Sequence, residues 1–339
     1  MSNLQRLLSI SLKACDALQP LISGLYYSQA NTATLKSDNS VLTLADGIVQ
    51  FMLLDVLFRD KFAAKIGEEY ESHINLITEP YSINDVIISS DFVPLIDQIK
   101  SSMASISKEI ETIDCSYLNV FLDPIAGTRE FSTNCGEQSS TCIGFSDKSS
   151  GESVAGLIYR PITSPPTWAM GIPSENYAMN NLNANPSPSN GFLTTNSGIS
   201  AFTEELIPRL GLERVKSGGA GNKILMLLEG RGVCYIQDRG VSRWDTCAGS
   251  AVLRAHGAVF SKLTSVIDRG LLEDYTYTPT TTNHDIHMLD EYPEMDRSKV
   301  GPYANICGLF AIAPSEAQRL SLYRDAVMEK ARRTSPKYF

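Results

Sequence analysis

The sequence predicts a layered mixture of α and β structure, and three observations carry that expectation. Apolar residues recur at helical spacing near the start, at Leu4, Leu7, Leu8, Cys15, Leu18, Leu21, Ile22 and Leu25. Two strand-like runs, at residues 141–146 and 153–159, read as members of an antiparallel sheet. From Gly191 onward, short extended runs alternate with helical ones, the pattern of an α/β layer. With 339 residues, 43% apolar and 20% charged, the chain has ample core for one large or two smaller units. We expect an α+β unit over residues 1–190 and a smaller α/β unit over residues 191–339.

The elements follow in order. The first apolar stripe has polar residues between its members, which makes it an amphipathic helix and not a signal peptide. Residues 31–42 are polar and turn-rich, a loop. From Thr43, Leu44, Ile48, Met52 and Val56, joined by Val49, Leu53 and Leu57, form a helical stripe, with Thr43 as N-cap and Asp46 in the first turn. Lys65-Ile66-Gly67-Glu68-Glu69 places two acids side by side, ordinarily a solvated pair. If Ile66 ends a strand, one can point into a site and the other behind it. Residues 91–111 read as helix and 117–122 as strand. The Pro-, Asn- and Ser-rich segment 160–192 reads as strand-edge loops and a boundary. Helices are expected at 201–210, 223–228, 246–256 (closed by Gly257) and 316–333, with extended runs at 212–216, 232–237 and 306–313. Residues 268–300 form a polar excursion.

Composition narrows the function. A formal charge of −9 and a pI near 5.1 argue against nucleic-acid binding through phosphate contacts. No apolar run is long enough to span a membrane. Seven cysteines without a CxxC pair suggest reduced thiols of a cytoplasmic protein, and Cys135 and Cys142 are not expected to bond. His284-Asp285-Ile286-His287 has the spacing of some zinc sites but reads as surface loop. Lys330, Arg332, Arg333 and Lys337 complement a helix C-terminus. No Ser–His–Asp order is present.

The chemistry centres on Leu122-Asp123-Pro124-Ile125-Ala126-Gly127-Thr128. A strand ending in an acid, then a proline-stiffened corner, a glycine and a hydroxyl, suits a metal site: a carboxylate and a turned carbonyl can face a cation, and the hydroxyl can orient a water. Asp245 in Trp244-Asp245-Thr246-Cys247-Ala248 opens a helix, where an anion is also favoured. Ser217-Gly218-Gly219-Ala220-Gly221-Asn222-Lys223 is a glycine-rich lead into a helix, a weak signal alone.

Taken in order, these motifs closely resemble the lithium-sensitive, magnesium-dependent phosphomonoesterase superfamily of inositol monophosphatases, fructose bisphosphatases and 3′(2′),5′-bisphosphate nucleotidases. The branch most resembled is the inositol polyphosphate 1-phosphatases, through Thr43-Leu44-Ala45-Asp46 with Val49-Gln50, Gly219 to Lys223, Trp244 to Ala248 followed by Leu253-Arg254-Ala255, and Asn305-Ile306-Cys307-Gly308-Leu309. The resemblance spans nearly the whole chain and is thinnest at 160–190 and 270–300. It implies a layered αβαβα sandwich and two or three Mg²⁺ ions. Glu68, Asp123, the Ile125 carbonyl and Asp245 are implied ligands, with Asp46 and Glu69 near the ions. Thr128 with Asp46, and Glu69, are implied to activate water. Gly127, Thr128, Thr195, Ser197, Gly219, Ala220, Lys223 and Asp245 are implied to contact substrate.

The implied activity is Mg²⁺-dependent, Li⁺-sensitive removal of the 1-phosphate from inositol 1,4-bisphosphate and inositol 1,3,4-trisphosphate by a monomer. The alternatives are a 3′-phosphoadenosine 5′-phosphate phosphatase and a non-catalytic phosphoinositol-binding protein. One position departs from the pattern: Ala126 stands where the family has a metal-binding acid. A methyl group cannot coordinate a cation, so the second metal site is expected to be weakened and turnover severely reduced. Survival of the other acids favours an engineered inactive variant over a natural pseudoenzyme.

Overall fold

The computed structural model describes residues 1–28, 33–35, 41–184, 189–238, 240–280, 285 and 300–334. Helix α1 (Asn3–Tyr27) carries the predicted stripe, with Leu7, Leu8, Leu18, Leu21 and Leu25 fully buried. Strands β1 (Ala33–Leu35) and β2 (Val41–Thr43) pair antiparallel and deliver the chain to α2 (Leu44–Gln50). That helix continues over Phe51–Phe58 with π geometry, where the periodicity predicts α. The run is buried except at Asp55, so it has no polar face to pin one helical period.

Next come β3 (Ala64–Gly67), the small β4 (Ile74–Asn75), β5 (Ser82–Ile83) and β6 (Val86–Ile87), and helix α3 (Val93–Ile110). Strand β7 (Leu118–Ala126) is buried along its whole length and leads into the short α4 (Thr128–Ser132). Strands β8 (Ser140–Asp147), β9 (Ser153–Arg160), β10 (Thr167–Ile172) and β11 (Tyr177–Asn180) follow. The last two correct the reading of 160–192 as loops. Prolines before and after β10 mimic loop composition, but pairing with β9 and β11 supplies its hydrogen bonds, and Met170 and Ile172 are buried.

The remaining elements are β12 (Gly191–Thr194), α5 (Ala201–Arg209), β13 (Glu213–Lys216), α6 (Ala220–Leu228), β14 (Cys234–Gln237), α7 (Arg243–Ala255), β15 (Val259–Lys262), α8 (Leu263–Arg269), β16 (Leu309–Ile312) and α9 (Leu320–Ala331). Helices α6 and α7 both begin three residues earlier than predicted. In α7 a capping box explains the shift, because the Ser242 N–H donates to Asp245 Oδ2 at 2.6 Å. Lys330 stands in the last turn of α9, as expected, and is 5% exposed and paired with Glu205. Lys337 lies outside the described residues.

Beside the small β1-β2 and β4-β5-β6 sheets, the described residues form two large ones, ordered β11-β10-β9-β8-β7-β3 and β13-β12-β14-β16-β15. The first is antiparallel except at β3/β7; the second is parallel at β13/β12/β14 and antiparallel at β14/β16/β15. Side-chain alternation assigns the layers. Val120, Leu122, Ile143, Phe145 and Leu157 pack outward with α1, α2 and α3. Phe121, Cys142 and Ile158 pack inward with Leu225, Ala248 and Val252 of α6 and α7, which also receive Leu193, Tyr235 and Ala311 of the second sheet. Phe192, Ile236 and Phe310 face Leu206, Val266 and Val327 of α5, α8 and α9. The architecture is therefore αβαβα, as expected. Among the described residues no helix is long and apolar enough to cross a membrane.

One packing detail positions the site. Gly144, Gly156 and Gly171 stand in register across β8, β9 and β10. A Cβ there would come 2.5 Å from Ala248 N, 2.4 Å from Ala248 O and 2.6 Å from Ala255 Cβ, respectively. The bare row lets α7 lie with its backbone directly on the sheet.

Candidate metal and phosphate site

Asp123 is 1% exposed near the end of β7. Beyond it the register with β8 shifts between Asp123 and Ala126, which turns successive carbonyls away from the ladder. Pro124 O accepts from Thr141 Oγ1 at 2.8 Å, and Ile125 O accepts from Thr128 Oγ1 at 2.9 Å. Thr128 Oγ1 also lies 3.2 Å from Asp46 Oδ1. Asp46 is fixed by its other oxygen, which accepts from the Thr43 N–H at 2.8 Å and the Thr43 hydroxyl at 2.6 Å. A single hydroxyl has one proton, so Thr128 serves either Asp46 or the Ile125 carbonyl at any moment.

The two acids after β3 do not separate into one facing the site and one behind it: both lie within electrostatic range of Asp46. Burial raises the Asp46 carboxyl well above the usual range, with Glu69 and then Glu68 adding to it. Burial raises Asp123 likewise, followed by Glu68 and Asp245. Glu69 is buried, its N–H donating to Gln50 Oε1 at 2.9 Å and its Oε2 accepting from Ser72 Oγ at 3.1 Å. Gly67 makes room for that glutamine, because a Cβ there would meet Gln50 Oε1 at 2.1 Å. Carboxylates far apart in sequence thus lie within mutual electrostatic range, which is unfavourable without compensating positive charge.

A second wall comes from the glycine-rich loop. Gly127 (φ 95°) and Gly219 (φ 61°) approach so closely that a Cβ on Gly127 would sit 3.2 Å from Gly219 Cα. Gln138 Oε1 accepts from the Gly218 N–H at 2.7 Å and from Asn196 Nδ2 at 3.0 Å, and Asn196 also donates to Glu130 Oε1 at 2.9 Å. Thr195 and Ser197 flank Asn196, their hydroxyls 3.1 Å apart. Ala220 starts α6. Lys223 is buried, with Nζ donating to Gly219 O at 2.9 Å and Ser217 O at 3.3 Å. Burial lowers its pKa to about 8, against the pull of Glu130 and Asp245.

The structure thus brings Asp46, Glu68, Glu69, Asp123, Ile125, Ala126, Gly127, Thr128 and Asp245 to one locality, with Gly219, Ala220 and Lys223 beside it. Thr195 and Ser197 sit on a more exposed loop tied in through Asn196. Gln138 and Asn196 escaped the sequence reading because an amide in a loop carries no local signature. Gln50 stood out only through the motif resemblance. All seven cysteines are free, six of them buried. His284, Ile286 and His287 lie outside the described residues; Asp285 pairs with Lys262 at 2.9 Å.

A hard cation fits this donor set. Asp123 Oδ1 is buried and, among the described residues, has no hydrogen-bond donor, an open lone pair with the Glu68 and Asp245 carboxylates and the Cys142 thiol in range. Among the described residues no three His, Cys, Asp or Glu side chains are already arranged to hold a metal ion. Ala126, 2% exposed, supplies a methyl group where another carboxylate would add a donor.

Comparison with known proteins places the fold and the family. The fold is the sandwich of the inositol monophosphatase and fructose bisphosphatase class. A staphylococcal inositol monophosphatase-1, solved as a LiCl-soaked inhibitory complex, superposes with a TM-score of 0.59 at 12% identity over 99% of this chain and 98% of its own. The chain belongs to the inositol monophosphatase family, whose sequence model matches residues 3–286. Human 3′(2′),5′-bisphosphate nucleotidase 1 is 27% identical over 239 residues, 66% of this chain and 71% of that protein. Inositol monophosphatase 3 of Xenopus laevis is 26% identical over 197 residues, 55% of this chain and 51% of its own length, under two thirds of that relative.

Proposed function

We propose that this chain is a monomeric, divalent-cation-dependent phosphomonoesterase scaffold that binds a small phosphate ester and turns it over poorly. The carrying observation is the buried, unpartnered Oδ1 of Asp123, set among Glu68, Asp245 and the Thr128–Asp46 pair. Members of the superfamily typically use divalent metals. Glu68, Asp123, the Ile125 carbonyl and Asp245 would hold Mg²⁺ here, with Asp46 and Glu69 near the ions. Bound there, the cations would neutralise a phosphate dianion, acidify a water and stabilise the leaving oxygen. Thr128 and Asp46 orient a water and accept its proton. Gly127, Gly219, Ala220 and Lys223 face the remainder of the ester, with Thr195 and Ser197 at its rim.

Ala126 removes one acid from this set, and the loss of one such interaction costs on the order of 3 kcal/mol in the transition state, about a hundredfold in rate. Two substrates are consistent with the site. The motif resemblance favours the 1-phosphate of inositol 1,4-bisphosphate and inositol 1,3,4-trisphosphate, with Li⁺ inhibitory. The nucleotidases among the relatives favour an adenosine bisphosphate. Ala126→Asp, assayed for Mg²⁺-dependent phosphate release from both substrates, tests the enzyme reading. Release well above the parent's from at least one is expected, and none from either removes it. Ester binding without release would leave a non-catalytic binder.

A further inference from the structure

Three aromatic rings flank the acid cluster and take no part in the roles assigned above. Tyr70 directly follows Glu69, and Trp244 directly precedes Asp245. Their ring centroids lie 6.1 Å apart with planes at 45°. Tyr303 closes the triangle, 5.5 Å from Trp244 and 5.6 Å from Tyr70, and the Arg243 guanidinium stands 5.9 Å from the Tyr303 ring centre. Exposure rises across the group: Tyr303 is 6% exposed, Trp244 is intermediate and Tyr70 is 47% exposed. A ring serving only to join the β3 turn to the start of α7 gains most by full burial, yet the outermost ring keeps nearly half its surface in solvent.

We propose that Tyr70 and Trp244 form a stacking subsite for the aromatic base of a phosphorylated nucleoside whose phosphate sits at the acid cluster. This rests on the phosphate-ester reading and narrows its substrate class. Tyr70 and Trp244 are one residue from Glu69 and Asp245 and pack on each other, so the segments that carry the acids also carry the rings, and in this proposal the organic portion of an anchored ester lies against them. A purine has a flat π-face for that wall. An inositol ring has hydroxyls around its rim and less apolar area to offer. Stacking of one base on one aromatic side chain changes affinity by about tenfold.

The test uses the full chain in Mg²⁺ and three probes: adenosine 3′,5′-bisphosphate, inositol 1,4-bisphosphate and inorganic phosphate. The chain has two tryptophans, Trp168 and Trp244, so a Trp168→Phe protein reports on Trp244 alone. We expect adenosine 3′,5′-bisphosphate to quench that fluorescence and to bind about tenfold more tightly than inositol 1,4-bisphosphate by calorimetry. Tyr70→Ala should remove about tenfold of the nucleotide affinity and leave inorganic phosphate unchanged, and Tyr70→Phe should restore it. An equal loss for all three probes in Tyr70→Ala would reduce the cluster to a structural clasp and overturn the proposal. So would nucleotide binding no tighter than inositol bisphosphate without quenching. If inorganic phosphate also fails to bind, the phosphate-ester reading falls and the subsite falls with it.

Discussion

Replacing Gly156 with alanine tests whether the seat of α7 positions the site. A methyl group there would lie 2.4 Å from the Ala248 carbonyl oxygen and 2.8 Å from its Cα. Ordinary contact begins at 3.4 Å, so the first overlap is 3.4 − 2.4, or 1.0 Å, against backbone that no rotamer change can relieve. Overpacking of this kind costs about 1–3 kcal/mol, and the rigidity of both partners points to the upper end. For 339 residues the unfolding entropy is about 0.7 kcal/mol/K, so a loss near 3 kcal/mol lowers Tm by about 4 °C. Helix α7 also carries Asp245, and a shift of about 1 Å in a positioned group can cost up to a hundredfold. Mg²⁺-dependent binding of inorganic phosphate should therefore weaken at least tenfold by calorimetry. Gly301→Ala, with nothing among the described residues within 4 Å, serves as control and should leave Tm within a degree. An unchanged Tm in Gly156→Ala would refute the packing argument. A lowered Tm with intact phosphate binding would refute the link from the glycine row to Asp245.

Three further outcomes are expected. Arg160 and Glu229 form a buried ion pair, 3% and 7% exposed at their side chains, and Arg160 Nη2 also donates to Asn222 O at 3.0 Å. Arg160→Met should cost about 3–5 kcal/mol in urea unfolding, while pairing it with Glu229→Leu should recover part of that, because no buried charge is left alone. The folded chain releases the Lys223 proton at about pH 8, whereas an unfolded lysine holds it to about 10.4. The unfolded state binds more protons between those values, so the Lys223 contribution to stability rises with pH across that window and is least favourable below it. The urea midpoint of Lys223→Met minus that of the parent should therefore shrink from pH 7 to pH 10; a constant difference would show that the buried ammonium is not titrating there. Finally, a thiol reagent should label Cys135 rapidly in the native protein and the six buried cysteines only on unfolding, counted by intact mass.

Local chemistry made much of this fold legible in advance. The stripe of α1 and the Thr43 N-cap with Asp46 in its first turn follow from side-chain period and capping preference, both properties of neighbours in sequence, whereas the strand expected to stop before Asp123 runs on through Pro124 to Ala126. The two strands hidden in the proline-rich segment were not legible, because β10 owes its conformation to β9 and β11. The acids were recognisable as candidates, but Gln50 and Gln138 were not singled out on chemical grounds. Their importance lies in one contact each, from Gln50 to the Glu69 N–H and from Gln138 to the Gly218 N–H, across 19 and 80 positions of chain.

The sequence by itself determined which residues could carry the chemistry: oxygen donors, a hydroxyl and glycine turns. Folding decided which of them meet. The open lone pair of Asp123, the crowding of Glu68 and Glu69 against Asp46 with Glu68 also beside Asp123, and the aromatic cluster next to them arise only when β3, β7 and α7 pack together. The physical reason is range. Period and capping act over a few residues, whereas burial and electrostatics act through space, and three glycines in register bring α7 close enough for both.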